Sequence, residues 1–293
     1  MNKQKDWLIG IGIVVVMFAL IVLMANYVSR KQNYEGVSIT SGGDKVAIVE
    51  LFGVIGNARR YVRQFEQYGE NNSIKAIVLR IDSPGGGIAA SQEIYEAVKR
   101  VREAGKPVVT SMGAVAASGG YYVACGTDTI MANPGTVTGS IGVITEFVNL
   151  EGLFEKVGIQ FEIIKSGRFK DTGSPHRHLT DAERQYLQDF VDDAYEQFMG
   201  VVVEERSMSK YKVRQLADGR IFTGKQAQEN GLIDLLGDYE AAINLAAEMG
   251  GIKGEPSLVK LRQRRPTLFD LLFEKAEYIL NGMHGGVFRY SLN

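Results

Sequence analysis

The chain has 293 residues, 33 Lys and Arg against 34 Asp and Glu for a net charge of −1, and a single cysteine. The near-neutral balance argues against a nucleic-acid-binding protein, which needs a basic excess to neutralise phosphates, and one cysteine allows neither an internal disulfide nor a CxxC zinc site. With 45% hydrophobic and 23% charged residues the chain is neither disordered nor polytopic, and its length suits one large or two modest domains.

The N-terminus departs from these averages. Residues 8–25 are 18 in a row without a charge. A helix over 7–28 reaches across a hydrocarbon core of roughly 30 Å, with Trp7 and Tyr27 at interfacial positions. The run exceeds the apolar stretch of a cleaved signal peptide, Ala25-Asn26-Tyr27 is a poor cleavage site, and no cysteine follows for a lipid anchor. An uncleaved single-pass anchor is expected. Lys3 and Lys5 before the span nearly balance Arg30 and Lys31 after it, so charge alone does not orient it. A six-residue head (1–6) and a large following body favour a cytoplasmic N-terminus with the body outside the cytoplasm. Residues 29–44 are polar and turn-rich, and read as a linker.

From residue 45 to 259 the pattern is that of a folded α/β domain. Strands are expected at 46–52, 74–81, 107–111 and 159–164, and a helix over 89–104 with Ile94, Ala97, Val98 and Val101 on one face. Strands alternating with helices of this length indicate βαβ units and a mostly parallel sheet. Thr180-Asp-Ala-Glu183 opens a second long helix with a capping box, and Leu187, Phe190, Val191, Ala194, Phe198, Val201 and Val202 form its apolar stripe. Turn–helix signals follow at 219–224 and 231–234, then a helix over 239–249. Residues 260–293 form a basic and amphipathic tail: Lys260, Arg262, Arg264 and Arg265, then Pro266 and an apolar pattern over 267–273, with a flexible end.

Three glycine-rich places follow strand-like runs, where α/β folds put their sites. Asp82-Ser-Pro-Gly-Gly-Gly87 turns backbone N–H groups outward. It lacks GxGxxG and a Gly-Lys-Ser/Thr ending, so an oxyanion hole fits better than a phosphate loop, with a purely structural turn as the plain alternative. In the second, a strand ends near Met112 and a helix begins near Ser118. A serine there is most often only an N-cap. Its Ala and Gly neighbours, however, leave room for a carbonyl, and the helix N-terminus favours a developing oxyanion. The strict G-x-S-x-G elbow is absent, since Ala116 stands two before Ser118. A serine nucleophile needs a base. His176 and His178 sit in Ser174-Pro-His-Arg-His, which reads as a solvated loop, and His284 lies in the tail. Lysine is the other option, with Lys165 and Lys170 as candidates. The third place is Thr138-Gly-Ser-Ile-Gly142, whose Ser140 could orient a lysine.

Asp82-Ser-Pro-Gly-Gly86, Ala117-Ser-Gly-Gly120, Thr138-Gly-Ser-Ile-Gly142 and Lys165-Ser-Gly-x-x-Lys170, followed by Gly219-Arg-x-x-Thr-Gly224 and Gly231-Leu-Ile-Asp234, resemble in their order the signal peptide peptidase A family of membrane-bound serine proteases. The resemblance implies a Clp/crotonase-like α/β fold and a Ser–Lys dyad: Ser118 as nucleophile, Lys170 as general base, Ser140 supporting the lysine, and the N–H groups of Gly85 and Gly119 as oxyanion hole. Lys165 matches the motif's first lysine, which is not catalytic. Long members carry two fused copies, with lysine and serine from different halves. By that analogy Ser118 of one protomer meets Lys170 of a neighbour in a ring-shaped homo-oligomer.

The resulting expectation is a cofactor-free endopeptidase of the cell membrane that degrades cleaved signal peptides and similar apolar segments. Its partners are peptides, lipid and copies of itself, with no nucleic acid and no metal. The rival readings are a crotonase-fold acyl-CoA enzyme, which uses oxyanion amides without a nucleophile, and a catalytically silent membrane scaffold.

Overall fold

A computed structural model describes residues 44–260 and the backbone of residues 289–291. The expected head and anchor, the linker up to residue 43 and most of the tail lie outside the described residues. Among the described residues no helix is long and apolar enough to cross a membrane.

The elements follow in the order β1 (Lys45–Phe52), α1 (Arg59–Glu70), β2 (Ile74–Ser83), β3 (Gly85–Gly87), α2 (Ile88–Glu103), β4 (Val108–Ala117) and α3 (Gly119–Ala124). Then come β5 (Thr129–Ala132), β6 (Val137–Gly139), α4 (Glu151–Lys156), α5 (Asp181–Glu205), α6 (Lys210–Leu216), β7 (Ile221–Thr223) and α7 (Gly224–Glu229). The last are β8 (Leu235–Leu236), α8 (Tyr239–Met249), β9 (Ser257–Lys260) and β10 (Arg289–Ser291). The main sheet runs β7-β6-β4-β2-β1-β9, with β5 beside β4 and β8 beside β5. Every pairing in it is parallel except β6 with β7. The mixed α/β class and parallel-rich sheet are therefore as expected.

Sheet faces explain the sequence of the central strands. Ala47, Val49 and Leu51 point into the larger core with Phe65, Ile94, Val98 and Phe198 from the helices, whereas Val46 and Ile48 pack with Ala242, Ile243, Ala246 and Ala247 of α8. Buried on both sides, β1 and β2 show continuous β-branched and aliphatic runs in place of alternation.

Three expectations need correction. The strand expected to end near Met112 continues to Ala117: after an irregularity, Ser83 pairs with Ala116, and the Asp82 carboxylate accepts the Val115 N–H at 3.0 Å. Residues 159–164 form no strand. Their alternating Ile159, Phe161 and Ile163 remain exposed, and among the described residues no strand lies alongside to pair with them. In α5 the capping box is present, but Phe190 faces outward at 44% exposure, so the buried stripe is narrower than the sequence pattern.

Candidate active site

Ser118 stands at the junction of β4 and α3, with φ 52° and ψ −118°. A positive φ is costly for a residue with a Cβ, and strain of this kind gathers at functional sites. The side chain is 0% exposed, yet among the described residues its Oγ has no hydrogen-bond partner, and it does not cap the helix. The plain N-cap reading therefore fails. The G-x-S-x-G sequence is absent, but the strained strand-to-helix turn it produces elsewhere is formed here by Ala116-Ala-Ser-Gly-Gly120.

Neighbouring strands carry the other small-residue loops to the same place. The Ser118 N–H donates to Gly139 O at 2.8 Å, and Thr138 Oγ1 donates to Ala116 O at 2.7 Å, which brings Ser140 beside the serine. Ser140 also has a positive φ, 50°, and is buried. Gly119 opens α3, where N–H groups have no carbonyl partner inside the helix. Cys125, six residues after Gly119 in sequence, is buried, and burial pushes its thiol up to about 12, which removes it as a nucleophile.

β3 is the wall of the site. Gly85 has φ 102°, open to glycine alone, and Ile55 braces the strand through Ile55 N–H to Gly85 O at 2.9 Å and Gly87 N–H to Ile55 O at 2.7 Å. Ser83, which sequence reasoning passed over, ties the turn: its hydroxyl donates to Gly53 O at 2.6 Å and accepts the Gly85 N–H at 3.1 Å. Pro84 and the glycines overshadowed it, and only its buried position reveals the role. The free edge of β3 is taken by β10, antiparallel, with Tyr290 opposite Gly86. A Cβ on Gly86 would lie 2.3 Å from Ile55 O and 2.5 Å from Ile55 N. Gly86→Ala is thus expected to displace β3, lowering stability by about 1–3 kcal/mol and peptide hydrolysis by at least about tenfold, read by denaturant melts beside activity. An open cleft of about 550 Å³ lies between residues 56–63 and the start of α2, but neither Ser118 nor Lys170 lines it.

Lys170 sits on an arm, residues 143–178, and is exposed. Among the described residues no hydrogen bond joins it to Ser118 or Ser140. Lys165 is engaged with the Asp171 carboxylate and with Arg168 O. His176 stacks on Phe161 with ring centroids 4.6 Å apart, and His178 lies 3.5 Å from Glu151, so neither imidazole is paired with the serine.

The loop read as solvated is held by ions. Arg177 donates to Asp171 Oδ2 at 2.9 Å and to both oxygens of Glu183 at 2.6 and 2.8 Å. The Arg177 guanidinium holds the Glu183 carboxyl down from its ordinary 4.5 to about 2. Arg177 first and Lys165 second hold Asp171 well below the usual carboxylate range. Both folded values are depressed, so this stabilisation is complete above the unfolded carboxylate values and fades as pH falls through them towards about 2. Hydrogen exchange of residues 165–185 should accelerate over that acid range, and Glu183→Gln should flatten the response.

Comparison with known proteins places the chain among proteases. The family model "Peptidase family S49" matches residues 100–253 and the Clp protease model residues 49–137. A Synechocystis protein provisionally designated protease slr0021 is 47% identical over 223 residues, 76% of this chain and 79% of that one. An Enterococcus faecium protein, provisionally designated signal peptide peptidase SppA, is 41% identical over 188 residues, 64% of this chain and 55% of its own. The chloroplastic serine protease SPPA of Arabidopsis thaliana is 34% identical over 262 residues, 82% of this chain, which spans only 39% of that relative's length.

Proposed function

The chain belongs to peptidase family S49, and from that premise we propose that it is a membrane-anchored serine endopeptidase that uses a Ser118–Lys170 dyad to degrade cleaved signal peptides and similar apolar segments outside the cytoplasm. The observation that carries this reading is Ser118 itself: a strained, buried serine whose hydroxyl has no hydrogen-bond partner among the described residues.

Ser118 Oγ attacks the peptide carbonyl while unprotonated Lys170 takes its proton. The amine leaves with that proton, and water then hydrolyses the acyl-enzyme with Lys170 as base. Gly119 and Gly85 N–H groups receive the oxyanion, Gly85 exchanging Ser83 Oγ for the substrate oxygen. Ser140 orients the lysine. The walls of Ala116, Ala117 and Gly120 suit a small side chain at the cleaved bond. A peptide fits better than an acyl-CoA, because β3 already accepts an extended main chain, residues 289–291, along its edge.

A second copy completes the site. Leu153 and Val157 are 54% and 59% exposed, Ile164 is fully exposed, and α4 buries no residue. An apolar arm of this kind, with an unpaired alternating segment at 159–164, calls for a partner surface, and the lysine it carries is supplied to the serine of a neighbour in a ring. The anchor over 7–28 holds this assembly at the membrane. Labelling of Ser118 by a fluorophosphonate, together with hydrolysis of apolar peptides, tests the enzyme reading. An unlabelled serine returns the chain to an acyl-CoA or scaffold role.

A further inference from the structure

We propose that Arg177 is the positioning residue for Lys170: its guanidinium ties the backbone at Asp171 to buried Glu183 and thereby fixes where the lysine reaches. The proposal rests on the reading of Lys170 as general base.

Every residue from 155 to 170 is exposed, and next to Lys170 on its N-terminal side Phe169 stacks on Tyr186 of α5 with ring centroids 5.1 Å apart. The polar ties that complete its placement come from the residues that follow. Asp171 is bonded twice by Arg177, at Oδ2 and through its main-chain O at 3.2 Å, and its other carboxylate oxygen takes Lys165. Thr172 Oγ1 donates to Glu183 Oε1 at 3.2 Å. The far end of this relay is buried. Glu183 is 2% exposed, accepts the Thr180 N–H at 2.9 Å in the capping box, and lies in the first turn of α5, where Leu187, Ala194, Phe198 and Val202 are buried. The linkage thus runs from the core through α5, Glu183, Arg177 and Asp171 to the peptide bond next to Lys170. Arg177 also donates to His178 O at 3.0 Å, so its planar fork is used on three sides. A lysine ammonium, a point donor, cannot span Asp171 and Glu183 in this way. Of the arm's other ties, the Phe169–Tyr186 stack adjoins residue 170 without fixing the peptide bond that follows it, whereas Leu150 N–H to Pro175 O and the Phe161–His176 stack lie farther along the chain.

The test uses the full chain with Arg177→Gln, and with Asp171→Asn as a milder second variant that leaves the Arg177–Glu183 pair. In folded protein, kcat and the rate of Ser118 labelling by a fluorophosphonate should each fall about 10–100-fold, with KM changed by less than about twofold. Once Lys170 is replaced by Ala, adding Arg177→Gln should slow labelling no further, which a general loosening of the fold would not reproduce. Labelling at the wild-type rate in either folded variant overturns the proposal. So does a rise in KM with kcat unchanged, an equal additional loss in the Lys170→Ala background, or failure of both variants to fold. Wild-type labelling and cleavage by Lys170→Ala alone would instead sink the base assignment, a result distinguishable from any of these.

Discussion

Ser118→Ala is expected to lower peptide hydrolysis by about 10⁴–10⁶-fold while leaving the protein at least as stable as the wild type. The second half of this expectation makes it specific. Removing a buried hydroxyl usually costs stability, because its partner is left unpaired. Ser118 Oγ has no exposure and, among the described residues, no partner, so the wild type bears the desolvation of that group, on the order of 1–3 kcal/mol, and alanine relieves it. Ser118→Gly should be more stable still, since it also removes strain of roughly 1–3 kcal/mol at φ 52°. Thermal melts beside peptide hydrolysis decide the matter. A clear drop in melting temperature would make the hydroxyl structural, and residual hydrolysis above about 1% would move the nucleophile elsewhere.

What could be read from the amino-acid sequence depended on how local its cause was. The capping box at Thr180 and Glu183, the helix over 239–249 and the burial of β1 and β2 are set by spacing and hydrophobicity within one segment, and the structure repeats them. The convergence of Ser118, Ser140, Gly119 and Gly85 depends on strand order, β2 and β6 flanking β4, which no short-range pattern states. Order along the chain, combined with the family resemblance, stood in for it. Ser83 and Arg177 were missed for a different reason. A serine before Pro84 and an arginine between two histidines look like surface residues until the partners appear, 30 residues away for Gly53 O and at the buried start of α5 for Glu183. The segment 159–164 failed in the opposite sense: its alternation is real, but a strand forms only where a second strand lies beside it.

That unpaired segment, and the lysine that follows it, lead to the second large effect. If Lys170 serves the Ser118 of a neighbouring protomer, Ser118→Ala and Lys170→Ala proteins are each inactive alone yet regain activity when assembled together. In a head-to-tail ring every site takes its serine from one copy and its lysine from the next. With equal amounts mixed at random, a site works when a Lys170→Ala copy, serine intact, meets a Ser118→Ala copy on its lysine side. Two independent chances of one half give recovery of roughly a quarter of wild-type activity. A dyad contained within one protomer gives none, because no single chain in the mixture carries both groups. Co-expression of the two variants with different affinity tags, tandem purification and peptide hydrolysis supply the measurement, and the Ser118→Ala/Lys170→Ala double variant mixed with either single variant supplies the blank. The single chain described here makes recovery the expected result: Ser118 is buried among β4, β6 and α3, Lys170 is exposed on an arm whose Leu153, Val157 and Ile164 are also exposed, and among the described residues no hydrogen bond joins the two.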